Sequence, residues 1–304
     1  MYAVIDIGSN TIRLLLYKLV GGIPQPALNS KQAAGLAGYV DKRRRLTEEG
    51  IAKAIEVLRR FQRILATVQP KRTYVFATAS LRNVVNGKEV AQAIRAACGL
   101  EVRILTGSEE AVFDYFGALH SLPAQDGLLV DIGGGSTELV LFRTSEVVST
   151  CSLPMGSLDL FGRFVRDVLP TPEEFDAIAR YAADQLDSVT FPVPDAASDA
   201  LCGVGGTCRA ACLVSDALYD THIGYTGFPC KRLKKMTKLL KTDRPALIRA
   251  IIKTAPDRLH TLLPGLAILT AVAARYDCVH FSASPCGVRE GYLMYQLEGG
   301  HDHA

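Results

Sequence analysis

Two copies of one uncommon pattern constrain the fold of this chain more than any other feature. In each copy an apolar strand ends in an acid, a glycine-containing turn follows, and the chain returns as a second apolar strand. The copies are YAVIDIGSNTIRLLLY at residues 2–17 and LLVDIGGGSTELVLF at residues 128–142. They lie about 125 residues apart, which is the size of one domain. Because strand-like and helix-like segments alternate after each copy, the sequence predicts two α/β domains.

The repeat also suggests where the domains meet. We place domain I at residues 1–120 and domain II at residues 121–304, with a boundary near residues 118–126. A closing helix is predicted at residues 288–298, and we expect it to pack back on domain I. A cleft between two such halves would be a natural ligand site.

The composition indicates an ordinary globular protein and excludes several classes of function. Of 304 residues, 48% are hydrophobic and 21% are charged, with a net charge of +3. So small a charge gives no general affinity for nucleic acid, and no basic-aromatic platform is visible. The N-terminus lacks a signal-peptide pattern, and the longest apolar run, residues 265–274, is too short to span a bilayer. We therefore expect a cytoplasmic protein with no nucleic-acid or membrane partner.

The two turns, and a third one, have the composition of phosphate cradles. The turn at residues 133–137 contains three consecutive glycines, which is more than a hairpin requires. Glycines let backbone N–H groups approach an anion without obstruction by Cβ. Neighbouring hydroxyl and amide side chains add donors. The third turn, GVGGT at residues 203–207, lies between a predicted strand and a predicted helix. The phosphate-binding candidates in these turns are Ser9, Asn10, Thr11, Gly133, Gly134, Gly135, Ser136, Thr137, Gly205, Gly206 and Thr207.

Acidic residues at the strand ends indicate a cation. Asp6 and Asp131 each end an apolar strand, where a carboxylate is costly unless it binds a cation or is hydrogen-bonded. Beside phosphate, Mg²⁺ held by one or two carboxylates is the natural partner. The metal candidates are therefore Asp131, Asp6 and Glu138. The plainer alternative is that each acid only caps its turn. The eight cysteines include no CxxC pair, which favours reduced thiols over disulfides or a zinc site.

Eight short motifs occur in order along nearly the whole chain. They are DIGSNT (6–11), ATASLRN (77–83), LTGSEEA (105–111), DIGGGSTEL (131–139), LPMGS (153–157), GVGGT (203–207), PGLAIL (264–269) and GVREG (287–291). Together they resemble the exopolyphosphatase/guanosine pentaphosphate phosphohydrolase (Ppx/GppA) family, in its short two-domain form. That family belongs to the actin-like superfamily with sugar kinases, acetate kinase and the Hsp70 ATPase domain. The resemblance implies two ribonuclease-H-like domains with the active site in the cleft between them.

The resemblance also implies roles for particular residues. GSEEA supplies the family's catalytic glutamate, which aligns with Glu110 and acts as the base for the attacking water; Glu109 is the alternative. SLRN places Arg82 where the family has a phosphate-binding arginine. A carboxylate at a helix start is suited to accept a proton from water, but it also complements the helix dipole, and one of the two glutamates is expected to do only that.

The implied activity is exopolyphosphatase: Mg²⁺-dependent hydrolysis of the terminal phosphoanhydride of inorganic polyphosphate, with release of orthophosphate. Guanosine pentaphosphate is the alternative substrate. A kinase of the same superfamily and a non-hydrolysing alarmone sensor are the alternative functions. Whether Mg²⁺ or Mn²⁺ is used, which chain length is preferred and whether the chain forms a homodimer stay open.

Two basic clusters favour polyphosphate over the nucleotide. One is DKRRR at residues 41–45, and the other contains Lys231, Arg232, Lys234 and Lys235. Each is either a solvated surface or a region that attracts a polyanion. Tyr39, Tyr115 and Tyr225 are candidates for stacking on guanine, and their alternative role is packing.

Overall fold

A computed structural model describes residues 1–121, 125–192 and 199–298. The chain divides into two compact units, one formed by Met1–Glu110 with the chain from Arg289 onward, and the other by Ala111–Val288. The division falls before the predicted boundary at residue 120, because Ala111, Tyr115 and Ala118 already pack in the core of the second unit. Residues 122–124 of the predicted linker lie outside the described residues.

Unit 1 is built on a five-stranded sheet. Its strands are β1 (Tyr2–Ile7), β2 (Thr11–Val20), β3 (Ile23–Ala33), β4 (Arg72–Ala77) and β5 (Arg103–Ile104), in the order β3-β2-β1-β4-β5. The central strand β1 runs antiparallel to β2 and parallel to β4. The helices that follow are α1 (Glu48–Val68), α2 (Ala79–Arg82), α3 (Gly87–Cys98) and α4 (Gly107–Ala118).

Unit 2 repeats this topology with one added strand. Its strands are β6 (Gly127–Ile132), β7 (Thr137–Arg143), β8 (Glu146–Leu153), β9 (Ala200–Val204), β10 (Phe228–Pro229) and β11 (His280–Ala283). Their order is β10-β11-β9-β6-β7-β8, so β6 occupies the place of β1. The predicted pair of α/β domains with a ribonuclease-H-like sheet is therefore confirmed.

Helices cover the sheet of unit 2, and one helix returns to unit 1. Those of unit 2 are α5 (Ser157–Phe164), α6 (Pro172–Asp187), α7 (Gly205–Tyr219), α8 (Lys231–Thr242), α9 (Arg244–Thr254) and α10 (Leu262–Arg275). The closing helix α11 (Val288–Leu297) contacts the unit 1 sheet, where Arg289 pairs with Asp6 and Glu290 accepts a hydrogen bond from Tyr17. Single 3-10 turns lie at Leu36–Tyr39, Leu119–Ser121, Gly224–Thr226 and Pro256–Arg258.

Local signals explain several helix ends. Thr47 caps α1 by accepting a hydrogen bond from the Gly50 N–H. Thr171 and Glu174 form a complete capping box at the start of α6.

The central strands are buried on both faces. Every residue of β6 is buried, which accounts for its continuous apolar run and makes Asp131 conspicuous. All eight cysteines are free thiols. Within the described residues, no helix is both long and apolar enough to cross a membrane.

Candidate active site

The two repeated turns have the same backbone geometry. In the first, the Gly8 N–H donates to the Thr11 carbonyl at 3.0 Å, and in the second the Gly133 N–H donates to the Ser136 carbonyl at 3.0 Å. In both, the residue before the glycine pairs with the residue after the turn, across β1–β2 and β6–β7. The sequence repeat is thus also a structural repeat.

The start of α5 holds the triple-glycine turn in place. The Gly133 carbonyl accepts from the Ser157 N–H at 2.8 Å, and the Gly134 carbonyl accepts from the N–H groups of Leu158 and Asp159 at 3.0 and 2.9 Å. A Cβ on Gly156 would lie 2.4 Å from the Gly134 carbonyl, so only glycine permits this approach. Because the first amides of a helix otherwise lack partners, the turn and the helix satisfy each other.

Some of the predicted phosphate ligands have structural hydrogen bonds instead. Thr137 is fully buried and donates its hydroxyl to the Met155 carbonyl at 2.7 Å. Thr207 donates to the Ile132 carbonyl at 3.1 Å and so ties the start of α7 to the end of β6. These two hydroxyls hold the framework around the turn, which leaves backbone amides as the better anion donors there.

The first turn is anchored through its backbone. The Asn10 carbonyl accepts from the N–H groups of Ala34 and Gly35 at 3.0 and 2.9 Å, and the Ser9 carbonyl accepts from Ala37 at 2.9 Å. The side chains of Ser9, Asn10 and Thr11 are half-buried, whereas Ser136 in the second turn is buried.

The two strand-end acids have opposite electrostatic surroundings. Asp6 lies directly across from Arg13 in the β1–β2 pair, and its carboxylate is 3.2 Å from the Arg289 guanidinium. Burial raises the pKa of Asp6, and Arg289 and Arg13 oppose that rise. In the equivalent position of unit 2, Asp131 lies across from a second acid, Glu138. Residues directly opposite in an antiparallel pair share one face, so these two carboxylates are neighbours.

Further polar groups surround the unit 2 acids. Glu138 is fully buried and accepts a hydrogen bond from the Ser152 hydroxyl at 2.8 Å. Asp131 lies against Gly205, which has a φ of +79°. A Cβ added to Gly205 would lie 2.2 Å from a carboxylate oxygen of Asp131. The Arg258 guanidinium lies against Gly206, at a place that a Cβ on Gly206 would occupy. Arg258 also interacts electrostatically with Asp131. Burial lowers the pKa of Arg258.

The chemistry of this pair fits Mg²⁺ better than that of Asp6. Within the described ranges no cluster of three or more His, Cys, Asp or Glu side chains forms a complete metal cage. Mg²⁺, however, usually takes one or two carboxylates and fills its remaining positions with water and substrate phosphates. Asp131 and Glu138 are two neighbouring carboxylates of this kind, whereas Asp6 faces Arg13 and pairs with Arg289.

The two candidate glutamates of α4 differ in their partners. Glu110 is 6% exposed, and its carboxylate is 2.6 Å from the Arg82 guanidinium. Glu109 instead forms a reciprocal pair of hydrogen bonds with Thr106 and an ion pair with Arg103 at 2.6 Å. Burial acts to raise the pKa of Glu109, but the hydrogen bonds from Thr106 and Arg103 outweigh it and the net shift is downward. Glu109 therefore serves the helix start, and Glu110 is the glutamate joined to the candidate phosphate arginine.

The first basic cluster contacts Asn83, the residue that follows this arginine, although the two segments are far apart in sequence. Residues 41–45 are exposed, and the Arg44 guanidinium donates to the Asn83 carbonyl at 2.9 Å. Arg45 pairs with Glu89 at 2.7 Å. The loop is thereby fixed beside the residue that follows Arg82.

Sequence reasoning missed Arg258 and Arg13. Arg258 lies in the segment APDRLH, where no pattern indicates a ligand, and only the packing of Gly206 brings it to Asp131. Arg13 was identifiable in principle, because strand register places it opposite Asp6.

The repeated sheet topology and the acid-plus-glycine turn in each unit define the class of protein: two α/β domains that share one sheet topology, the fold that a solved Ppx/GppA family member from Aquifex aeolicus also has. The profile of the Ppx/GppA phosphatase family matches residues 15–299, and the chain belongs to that family.

Individual relatives agree with this assignment. A Haemophilus influenzae protein named "Putative exopolyphosphatase" is 27% identical over 297 residues, covering 97% of this chain and 91% of the relative. The solved structure of an Aquifex aeolicus PPX-GPPA enzyme is 26% identical with a TM-score of 0.74, covering 96% of this chain and 98% of that one. An exopolyphosphatase structure from Cytophaga hutchinsonii has the same fold, with 22% identity, a TM-score of 0.82 and 98% of both chains covered.

Proposed function

We propose that this protein is an exopolyphosphatase that removes the terminal phosphate of inorganic polyphosphate. A water oxygen forms a bond to the terminal phosphorus, and the bond from that phosphorus to the bridging oxygen breaks. The water proton passes to Glu110, and the bridging oxygen leaves as the new end of the chain. The products are orthophosphate and a polyphosphate one unit shorter.

The arrangement of Glu110 carries the proposal. Its buried carboxylate lies 2.6 Å from the Arg82 guanidinium. A hydrogen-bonded positive charge favours the ionised form of a carboxylate, which is the form able to accept a proton. A guanidinium has several N–H groups, so Arg82 is able to hold Glu110 and contact a phosphate oxygen at the same time. Base and phosphate ligand are thus adjacent within unit 1.

Charge stabilisation is the second element of the proposal. Phosphoryl transfer depends chiefly on positioning and on neutralising the phosphate oxygens. Arg82, the backbone amides of the glycine turns and Arg258 are the groups of this chain suited to that task. Mg²⁺, when held by Asp131 and Glu138, would supply further positive charge to the phosphate oxygens.

Polyphosphate is the better supported substrate because the candidate guanine platforms are engaged in packing. Tyr115 is 1% exposed and lies in the core of unit 2. Tyr39 packs against the core of unit 1 and Tyr225 against that of unit 2. A polyphosphate chain needs no such platform and suits the exposed basic loop at residues 41–45.

Phosphate release from purified protein tests the proposal. Polyphosphates of several lengths and guanosine pentaphosphate are compared, each with Mg²⁺, with Mn²⁺ and with neither. Release from polyphosphate without any acceptor supports the exopolyphosphatase. Faster release from guanosine pentaphosphate would favour the nucleotide hydrolase, transfer only in the presence of an acceptor would favour a kinase, and tight alarmone binding without turnover would favour a sensor.

A further inference from the structure

Helix α8 carries an unusual concentration of positive charge. Its sequence is KRLKKMTKLLKT, in which six of 12 residues are Lys or Arg and none is acidic. Leu233, Met236 and Leu240 are buried against unit 2, so the charge lies on the outer side of the helix. The chain as a whole has a net charge of only +3, so this positive charge is local.

Two of the six basic residues have partners in the structure. Arg232 stacks on the rings of Tyr219 and Phe228, 4.9 and 5.4 Å from their centroids. Lys241 pairs with Asp176 at 2.7 Å. The other four are exposed and form no ion pair with the described residues; we name them the α8 lysine face: Lys231, Lys234, Lys235 and Lys238.

This arrangement opposes the stability of the helix itself. Lys231 with Lys235, and Lys234 with Lys238, are four residues apart, and like charges at that spacing destabilise a helix. Lys231 and Arg232 also place positive charge in the first turn, where the helix dipole favours acids. A bound polyanion would remove both penalties.

The lysine face adjoins a cavity. Lys231 and Lys234 line a depression of about 500 Å³ together with Thr270, Ala273 and Ala274 of α10. The face is therefore continuous with a concave surface rather than being an isolated convex stripe.

The lysine face begins at the opposite end of the sheet from Asp131. Pro229, just before α8, pairs with His280 at the start of β11. His280 in turn is in register with Ala200 of β9. Asp131 is level with Val204, at the other end of β9. Four residues of strand separate the two levels by about 13 Å. Only a long ligand is able to occupy both places.

We propose that the α8 lysine face binds the distal part of a long inorganic polyphosphate chain whose end is hydrolysed at the glycine turns; this inference rests on the proposed function. Nucleic acid fits less well, because base-stacking sites present open aromatic faces. At α8 Phe228 is buried, and the Arg232 guanidinium lies over the ring of the 36% exposed Tyr219. Lysines are flexible point charges, which suits a repeating polyanion without fixed register.

A quadruple variant and a matched control test the inference. K231Q/K234Q/K235Q/K238Q removes the lysine face, and K18Q/K71Q/K88Q/K253Q removes the same charge from scattered exposed positions. Glutamine is as good a helix former as lysine, so α8 should keep or gain stability. For long-chain polyphosphate we expect the face variant to raise KM about tenfold or more. The slope of log KM against the logarithm of the salt concentration should fall by up to about 3. Its kcat, and its kcat/KM for tripolyphosphate, stay at the wild-type values.

The control outcome and direct binding complete the test. An equal rise in KM for both quadruple variants, or a rise for tripolyphosphate as well, would overturn the inference while leaving the exopolyphosphatase intact. If wild-type protein releases no phosphate from either substrate, the proposed function fails by itself. Calorimetric titration of long-chain polyphosphate into Glu110→Gln protein, with and without the four lysines, then decides the binding site separately. Single-stranded DNA that binds the face as tightly as polyphosphate would also overturn it.

Discussion

Arg82 and Glu110 form an ion pair at 2.6 Å that joins the end of α2 to the first turn of α4. Arg82 also donates to the Leu105 carbonyl at 3.2 Å, and this hydrogen bond helps to orient its guanidinium. Since both side chains are largely buried, each determines where the other can point. Under the proposed function the pair is a fixed base beside a fixed phosphate ligand, so its disruption should affect both stability and turnover.

Replacement of the proposed base should abolish most activity. Glu110→Gln keeps the shape of the side chain but cannot accept the water proton, and we expect phosphate release to fall by roughly two to four powers of ten. Binding of polyphosphate should persist, as measured by calorimetric titration. Glu109→Gln is the control and should retain most of its turnover. The reverse result, with Glu109 essential and Glu110 dispensable, would transfer the role of base to Glu109.

The ion pair should show strong energetic coupling. Arg82→Met leaves the buried Glu110 carboxylate without its guanidinium partner, which should lower the free energy of unfolding by about 3 kcal/mol. Adding Glu110→Gln to that variant should restore part of the loss, because a neutral amide is less costly to bury than an unpaired charge. Urea denaturation of the wild type, both single variants and the double variant measures the coupling. Strictly additive effects would show that the two side chains do not depend on each other.

Mg²⁺ dependence should separate the two strand-end acids. Asp131→Asn and Glu138→Gln should each raise the Mg²⁺ concentration for half-maximal activity by roughly tenfold or more, since even outer-shell partners are worth that much. They should also reduce the rise in Tm that Mg²⁺ produces in the absence of substrate. Asp6 pairs with Arg289, so Asp6→Asn should leave the Mg²⁺-induced rise in Tm unchanged. Loss of the Mg²⁺ response in Asp6→Asn alone would place the metal in unit 1.

Two glycines of one segment should respond oppositely to alanine. At Gly156 an added Cβ would meet the backbone of Gly134 and Gly135 at 2.4 Å, so Gly156→Ala must displace the triple-glycine turn. We expect activity to fall about 100-fold, as small misplacements of catalytic groups often cause. Gly162, inside α5, has no heavy atom within 4 Å of its would-be Cβ. Gly162→Ala should keep activity and raise stability by about 0.5–1 kcal/mol. Equal activity in the two variants would mean that the turn is not part of the site.

Thr106 and Glu109 form a reciprocal capping box at the start of α4, which should contribute stability only above mildly acidic pH. The pKa of Glu109 in the folded protein is below its ordinary value of 4.5. The contribution is therefore full above that value and is lost as the pH falls through the folded pKa. Glu109→Gln should cost about 1 kcal/mol near pH 7 and much less near pH 3. Thermal unfolding of both proteins across this range measures the difference, and a cost independent of pH would contradict the charge-based explanation.

The repeated turns and the capped helices could be predicted from sequence because they depend on neighbouring residues. A glycine turn after an acid-ended strand, and Thr47 or Thr171 before a run of helix formers, are short-range patterns. The pair of α/β domains followed from the repeat and from the family resemblance together. The role of Thr137 and Thr207 could not be predicted, because a hydroxyl beside a glycine turn looks the same whether it faces an anion or a buried carbonyl.

The sequence by itself determined the two-domain α/β organisation, the glycine turns and the short set of acids that merit attention. Only the tertiary structure decided which groups surround each of those acids. Asp6 pairs with Arg289, 283 residues away in the chain, whereas Asp131 faces Glu138 and lies near Arg258. The same tertiary contacts distinguish Glu110, held by Arg82, from Glu109, held by Arg103. Such pairings depend on strand register and helix packing, which bring distant charges within a few ångströms and which no local pattern of residues encodes.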